Sequence, residues 1–256
     1  MYSISALSCY YVNTQSKLVT TFLWGPKESL IVPTPSVGFL MHNDDSGRCQ
    51  MHSVGIPERH LIDWAKRFAD KTKVFIDCGA HMGSYSILLA DHFKEVLAFE
   101  AQRRTFFQLC GNIFINEKSN IIPRHIAVTD KVHAHQTVTL SVVSEDGGGS
   151  TVLIPQEPVL HTERVEAMNL DNYHIEDVGL IKLDIEGNEL AALRGAALTL
   201  KRSEYPPIIF EANNDEWFAP QKKELLNHLY GLGYNVAEIR PYDNMYVAVH
   251  GSKEEF

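Results

Sequence analysis

The sequence predicts a doubly wound α/β fold, and three observations predict it. The stretch Val74–Ser86, VFIDCGAHMGSYS, reads as a strand, a glycine-rich turn and a helix start. After it, strand-type runs at Glu95–Phe99, Ile121–Val128, Leu180–Leu183 and Pro206–Phe210 are separated by helical patterns, the signature of a parallel sheet. Asp77, Glu100, Asp184 and Glu211 each stand at the carboxyl end of one of these runs. That edge is where open α/β sheets bind their ligands, and four acids there predict an acidic crevice.

The chain has 256 residues, enough for one large domain or for a domain with an extension, and its 45% hydrophobic content is ordinary for a globular core. A net charge of −9 disfavours a binder of phosphate backbones. Cys9, Cys49, Cys78 and Cys110 are scattered and form no C-x-x-C, so reduced thiols and a cytoplasmic location are expected. No apolar run approaches the length of a membrane span, and no basic segment precedes an apolar leader.

Residues 1–56 predict a small β-rich extension, and 57–256 the main domain. Strand-like runs at Tyr10–Val12, Leu18–Trp24 and Leu30–Val32 are punctuated by Gly25-Pro26, Pro33, Pro35 and Asp44–Gly47. His42 and His52 read as ordinary surface histidines. Pro57–Ala69 predicts a helix with Leu61, Trp64 and Phe68 in the core and Glu58 favouring the N-terminal dipole. Arg103–Phe114 predicts a helix with Arg103 and Arg104 on a solvated face. Thr137–Val143, the tip Asp146–Ser150 and Thr151–Ile154 predict a hairpin insertion, with Arg164–Met168 as a further strand. Its Gly147–Gly149 tip is either a plain flexible turn or part of a lid. Beyond Asp184, Leu190, Leu193 and Ala197 share one helical face. Gln221–Leu232 predicts a further helix, and Val236–Ile239 with Met245–Val249 an antiparallel pair.

The turn at Gly79 carries the first chemistry. A dinucleotide turn needs G-x-G-x-x-G, and here G-A-H-M-G lacks the middle glycine. Asp77 just ahead of the loop is a poor neighbour for pyrophosphate and a good one for a cation. Glu100 follows at the spacing of an acid that bonds ribose hydroxyls. The pair suits S-adenosylmethionine, which has an amino group, a sulfonium and a free ribose but no phosphate. The alternative for Asp77 is a buried strand-end aspartate of any α/β protein. Cofactor contacts are expected from Asp77, Gly79, Ala80, His81, Gly83, Ser84 and Tyr85 of this segment, from Glu100 and Ala101, and from Ala127 and Asp130 near the adenine.

Several stretches together resemble the FkbM-type S-adenosylmethionine-dependent methyltransferases. They are FIDCGAHMGSYS (75–86), AFEA (98–101), Asn112 and Asn116, AVTD (127–130), NLDNY (169–173), IKLDIEGNELAALRGA (181–196) and PIIFEA (207–212). The block K-x-D-x-E-G-x-E-L followed by L-R-G is the most specific. The chain departs from the family at His81, where asparagine is usual, and at AFEA, where F-E-P is commoner. The resemblance implies a class I (Rossmann-like) methyltransferase with a mostly parallel seven-stranded sheet whose last strand is antiparallel. It also implies methyl transfer to a hydroxyl of a sugar, glycan or natural product.

In that architecture Asp184 faces the transferred methyl group and is the first candidate to orient the hydroxyl and take its proton. Lys182 would hold either the charge state of Asp184 or the substrate oxygen, and Glu186 and Glu211 are further catalytic candidates. Glu186 and Glu189 also read as carboxylates favoured at a helix start. Asp184, Glu211 and Asn213 can alternatively ligate Mg²⁺ or Mn²⁺ through oxygen. Two rival functions remain beside O-methylation of a small or glycan acceptor. One is RNA 2′-O-methylation, disfavoured by the acidic balance. The other is a module that binds S-adenosylmethionine without catalysis.

Overall fold

The structure, a computed structural model, describes residues 20–22, 29–33, 37–42, 55–130, 136–242 and 244–253. Tyr10–Val12, Gly25-Pro26, Pro35, Asp44–Gly47, His52, Cys9, Cys49 and the side chain of His42 lie outside the described residues. In chain order the strands are β1 (Thr20–Phe22), β2 (Ser29–Pro33), β3 (Gly38–His42), β4 (Val74–Cys78), β5 (Glu95–Glu100), β6 (Ile121–His125), β7 (Ala127–Val128), β8 (Thr137–Val142), β9 (His161–Met168), β10 (Val178–Leu183), β11 (Ile208–Glu211), β12 (Tyr234–Glu238) and β13 (Met245–His250). The helices are α1 (Arg59–Ala65), α2 (Ser84–Leu89), α3 (Arg103–Ile115), α4 (Glu189–Arg194), α5 (Ala197–Arg202) and α6 (Ala219–Gly231). No helix among the described residues is long and apolar enough to cross a membrane.

The main sheet has seven strands in the order β12-β13-β11-β10-β4-β5-β6. β11, β10, β4, β5 and β6 pair in parallel, while β13 runs antiparallel to both β11 and β12. This is the mostly parallel α/β sheet that the sequence predicts. β4 lies inside the sheet, between β10 and β5, and is buried along its whole length, as a parallel strand with helices on both faces must be. Alternate residues serve opposite layers. Phe75, Ala98 and Leu180 pack with α1, α2 and α3, while Ile76, Phe99 and Ile181 pack with α4, α5 and α6.

β1, β2 and β3 form a separate three-stranded antiparallel sheet. Its free edge, β3, is covered by α3. Asn112 Oδ1 accepts from the amide of Leu40 at 2.6 Å, Asn116 Oδ1 accepts from the amide of Gly38 at 2.9 Å, and Gln108 Nε2 donates to the carbonyl of Leu40 at 2.8 Å. Residues four apart on a helix share a face, so these three amide side chains stand in for a partner strand. Phe39 and Met41 then join the core beneath α3. Asn112 also reaches the glycine loop, donating to the carbonyl of Met82 at 2.8 Å. Asn112→Ala leaves both the Leu40 amide and the Met82 carbonyl without their partner and should cost about 1–3 kcal/mol. Urea unfolding measures it, and a loss below about 0.5 kcal/mol would mean that water replaces the amide.

Several local expectations are corrected. The hairpin partner of β8 is β9, paired from Thr137–Glu166 to Val142–His161, and not Thr151–Ile154. Thr151 makes only one bridge, to Ser141. Pro155 and Pro158 lack the amide donor that a strand there would need. Ala127–Val128 leaves the main sheet and pairs with β9, making the insertion a three-stranded sheet of order β7-β9-β8. α1 begins two residues after Pro57, because Glu58 adopts a left-handed conformation at φ 53° and makes no capping bond. The helix after Asp184 breaks at Gly195, so Ala196 is buried and Ala197 exposed. A side chain at Gly195 would strike the carbonyl of Thr129 at 2.3 Å, so the backbones meet there. Arg104 is not solvated; it pairs with Glu145 of the insertion at 2.8 Å.

Candidate active site

The loop after β4 is built on close backbone approaches. Both the Gly79 and Ala80 amides donate to the carbonyl of Phe99 at 2.9 Å. Gly79 has φ +77°, and a Cβ on it would lie 1.8 Å from the carbonyl oxygen of Asp184. His81 is left-handed too, at φ 52°. Asparagine, aspartate and histidine are the non-glycine residues that tolerate this region best, which accounts for His81 where the family uses asparagine. The amide of His81 donates to Glu100 Oε2 at 2.9 Å, and that of Gln102 donates to Glu100 Oε1 at 2.8 Å. Glu100 is thereby fixed in orientation at the end of β5. Burial pushes its carboxyl above the ordinary range, against the pull of His81 and these amides.

A second group lies on the α1–α2 side of the sheet. Strand register sets Lys182 of β10 directly opposite Asp77 of β4, both pointing to the same layer. Lys182 is 4% exposed, donates to the carbonyl of Gly79 at 2.9 Å, and stands 3.1 Å from Asp184 Oδ2 and 3.7 Å from Asp77 Oδ1. Burial works to discharge its ammonium, yet Asp184, Asp77 and Glu58 outweigh it and hold the group above its ordinary range. Lys182 is therefore a fixed cation. Ser86 donates to Asp77 at 2.6 Å, and Tyr85 donates to Glu58 at 2.8 Å while its ring lies 5.1 Å from the Lys182 ammonium.

Two cavities open at the carboxyl edge of the sheet. The first, of ≈ 260 Å³, runs from Gly79 and Glu100 past an apolar slot of Phe99, Ile126, Val128 and Leu140. The second, of ≈ 650 Å³, lies over β11 between the Thr151–Glu157 segment and Trp217. Asp184 lines the first, Glu211 the second, and Glu186 both. The insertion closes over this seam. Gly147 and Gly148 line the first cavity, His81 Nε2 bonds the carbonyl of Asp146, and the amide of Gly149 donates to Glu186 Oε1 at 2.8 Å. The glycine tip is thus a wall of the site.

The carboxyl groups at the seam crowd one another. Asp184, Glu186 and Glu211 each offer an oxygen within 4.8 Å of the others. Burial, then the charges of Asp184 and Glu186, push Glu211 up to about 9, so it is protonated at neutral pH and hydrogen-bonded to Asp184. The folded chain thus holds a proton on Glu211 that an unfolded chain releases near its ordinary value of 4.5. Stability referable to this group is complete below that value and is lost as the pH rises towards 9. Glu211→Gln should flatten the fall of Tm across that window; parallel profiles for the two proteins would show that Glu211 does not titrate there.

Of the expected cofactor residues, Gly79, His81, Glu100, Ala101, Ala127 and Asp184 line the first cavity, while Asp77, Ala80, Gly83, Ser84, Tyr85 and Asp130 do not. Asp77 is fully buried and joined to Ser86 and Lys182, so the acidic edge consists of Glu100, Asp184 and Glu211. Asn213 lines the second cavity outside the carboxyl trio, its Oδ1 accepting from the amide of Asp215 at 2.8 Å. Sequence reasoning missed Glu58, which looks like a helix-start acid and instead belongs to the Lys182 group. It also missed Asn188, which lines the first cavity and donates to the carbonyl of Val128 at 2.8 Å.

S-adenosylmethionine meets a fitting set of residues in the first cavity. The apolar slot suits an aromatic base, the pinned carboxyl of Glu100 a ribose diol, and the acidic seam a cationic sulfonium. Residues 77–236 match the family described as Methyltransferase FkbM domain. No curated protein matches the chain. Among solved structures it is similar to the methyltransferase FkbM of Methylobacillus flagellatus KT, at 19% identity and a TM-score of 0.48 over 70% of this chain and 44% of that one. It is also similar to an rRNA methylase of Streptococcus thermophilus (15% identity, TM-score 0.46, 76% of this chain and 95% of that one). A third is TYW2 of M. jannaschii, solved with AdoMet (16% identity, TM-score 0.41, 91% of this chain and 90% of that one). The chain thus spans less than half the length of the first of these.

Proposed function

This chain belongs to the FkbM methyltransferase domain family, and from that membership we propose that it transfers the methyl group of S-adenosylmethionine to a hydroxyl oxygen of a sugar, glycan or natural-product acceptor. The observation that carries the proposal is the Lys182–Asp184 pair at 3.1 Å, in which Asp184 lines the first cavity and is hydrogen-bonded to Glu211 of the second. When bound, the cofactor supplies an electrophilic methyl group on sulfur. Glu100 would hold the ribose, and the slot of Phe99, Val128 and Leu140 would hold the base. Asp184 orients the acceptor hydroxyl from the second cavity and takes its proton as the oxygen–carbon bond forms. Lys182, 3.1 Å from Asp184 Oδ2, fixes the orientation of that carboxyl group. The catalytic domain is residues 57–256, with β3 clasped to it.

RNA is disfavoured as the acceptor, because the second cavity presents acids to any phosphate. Glu100→Ala should weaken S-adenosylmethionine binding by about 1–3 kcal/mol, through lost hydrogen bonds to ribose and release of the His81 and Gln102 amides. Calorimetry reads the affinity; tighter binding of NAD than of S-adenosylmethionine by the unaltered protein would overturn the cofactor assignment. A screen of hydroxyl acceptors with methyl-labelled cofactor tests the reaction. Tight cofactor binding with no turnover on any acceptor would make the protein a sensor instead.

A further inference from the structure

We propose that the acceptor carries a protonated amine, as an amino sugar does, and that this ammonium sits in the acidic second cavity; the inference rests on the O-methyl transfer reading above. Among the described residues five carboxyl side chains line that cavity, Glu157, Glu186, Glu189, Asp215 and the protonated Glu211, whose proton an incoming cation would help to displace, and no lysine or arginine stands among the lining residues. Lys182 and Lys222, which adjoin the lining residues through Asp184 and Gln221, are engaged elsewhere: Lys182 with Asp77 and Asp184, and Lys222 with the carbonyl of Ala212 and the hydroxyl of Tyr246. A uronate or a phosphate would enter with no counter-charge, at a Coulomb cost that the low-dielectric walls magnify.

A second observation points to a missing ligand. Glu189 is 1% exposed, its Oε1 accepts from the amides of Ile185 and Gly187, and its Oε2 is buried with no hydrogen-bond partner among the described residues. A buried carboxyl oxygen without a donor is costly, and an ammonium brings three donors. The remaining walls select an organic cation over a bare metal ion. Trp217 is 45% exposed at the rim, its indole N–H donating to Asp215 Oδ2 at 3.1 Å, and Leu153 and Ile154 stand exposed across from it. An aromatic face and apolar side chains attract an alkylammonium or the C–H face of a sugar ring, whereas a hard cation asks for oxygen on every side. A hydroxyl on the same ring can then reach towards Asp184, which lines the first cavity and is hydrogen-bonded to Glu211 of the second.

The test is titration calorimetry on the full chain loaded with S-adenosylhomocysteine. The probes are the methyl glycosides of 2-amino-2-deoxyglucose and 2-amino-2-deoxygalactose, with their N-acetylated, neutral and uronate counterparts. At least one amine should bind about tenfold or more tighter than its neutral and N-acetylated partners, and the uronates should bind weakest. Asp215 and Glu157 are exposed, so the variant E157Q/D215N should fold normally and lose most of the preference. Equal or tighter binding of the neutral or uronate forms overturns the proposal, as does failure of both amines to bind or a preference unchanged in the variant. The transfer reading fails separately. Methyl transfer to the amine nitrogen, read by NMR of the product, would sink O-methylation and leave the ammonium site standing. O-methylation of neutral sugars with no amine preference would do the reverse.

Discussion

Gly79→Ala is expected to destabilise the chain by about 2–5 kcal/mol and to abolish measurable cofactor binding. Two terms add. A left-handed backbone costs an alanine about 1–2 kcal/mol, and Gly79 has φ +77°. The new methyl group would also stand 1.8 Å from the carbonyl oxygen of Asp184, where only backbone movement can relieve it, and overpacking of this kind costs about 1–3 kcal/mol. That movement would part β4 from the end of β10, pulling apart the Lys182 bond to the Gly79 carbonyl and the Asp184 amide bond to the Cys78 carbonyl. Gly83→Ala is the internal control. Gly83 is left-handed as well, at φ +93°, but its Cβ would meet side-chain atoms, those of Leu109 at 2.6 Å and Ile87 at 3.3 Å, and side-chain tips can turn away. Urea unfolding and calorimetry on both variants should rank Gly79 well above Gly83 in both losses. Equal losses would show that backbone strain alone matters and that the contact with Asp184 does not.

The ranking shows what the sequence made legible. Glycines in a strand–turn–helix pattern announce a close approach, and the interval from Asp77 to Glu100 announces an acid at the next strand end. Both are local signals, and Glu100 does line the first cavity. The parity of a strand is harder to read. Asp77 precedes the last residue of β4 and so points into the helix layer, where register delivers it to Lys182. Glu58 carries no local sign of its place, because only the packing of α1 against α2 brings it to Tyr85. The insertion was legible as β structure from the alternation in Thr137–Val142. Its true partner was not, since β9 lies beyond a proline-interrupted segment that lines the second cavity and bonds β8 through the Thr151–Ser141 bridge and the Leu160 amide alone among the described residues. What the tip touches, His81 and Glu186, follows from that long-range pairing.

Asp184→Asn should lower turnover by about 10²–10⁴ while leaving the fold intact and cofactor affinity changed far less than by Glu100→Ala. The side chain is partly open to the seam, at 32% exposure, with Lys182 at 3.1 Å behind it and Glu211 bonded to it. A sugar hydroxyl is a weak nucleophile, and a carboxylate is the group at the seam that can both orient it and take its proton. Asparagine keeps the shape but cannot accept that proton. It also leaves the buried Lys182 ammonium facing only Asp77 and Glu58 for neutralisation. Cofactor affinity carries the distinction. A loss confined to the transfer step lowers kcat with near-normal binding of S-adenosylmethionine and an unchanged unfolding midpoint, whereas a merely structural loss would lower all three together. Chelation supplies the other arm. Lys182 already provides the positive charge beside Asp184, so turnover is expected to persist in EDTA. If EDTA stops the reaction, and Asp184→Asn binds Mn²⁺ poorly but is rescued by excess of it, Asp184 is a metal ligand and the proton goes elsewhere. Normal turnover by Asp184→Asn would remove it from the chemistry and leave Glu186, which lines both cavities, as the group to test next.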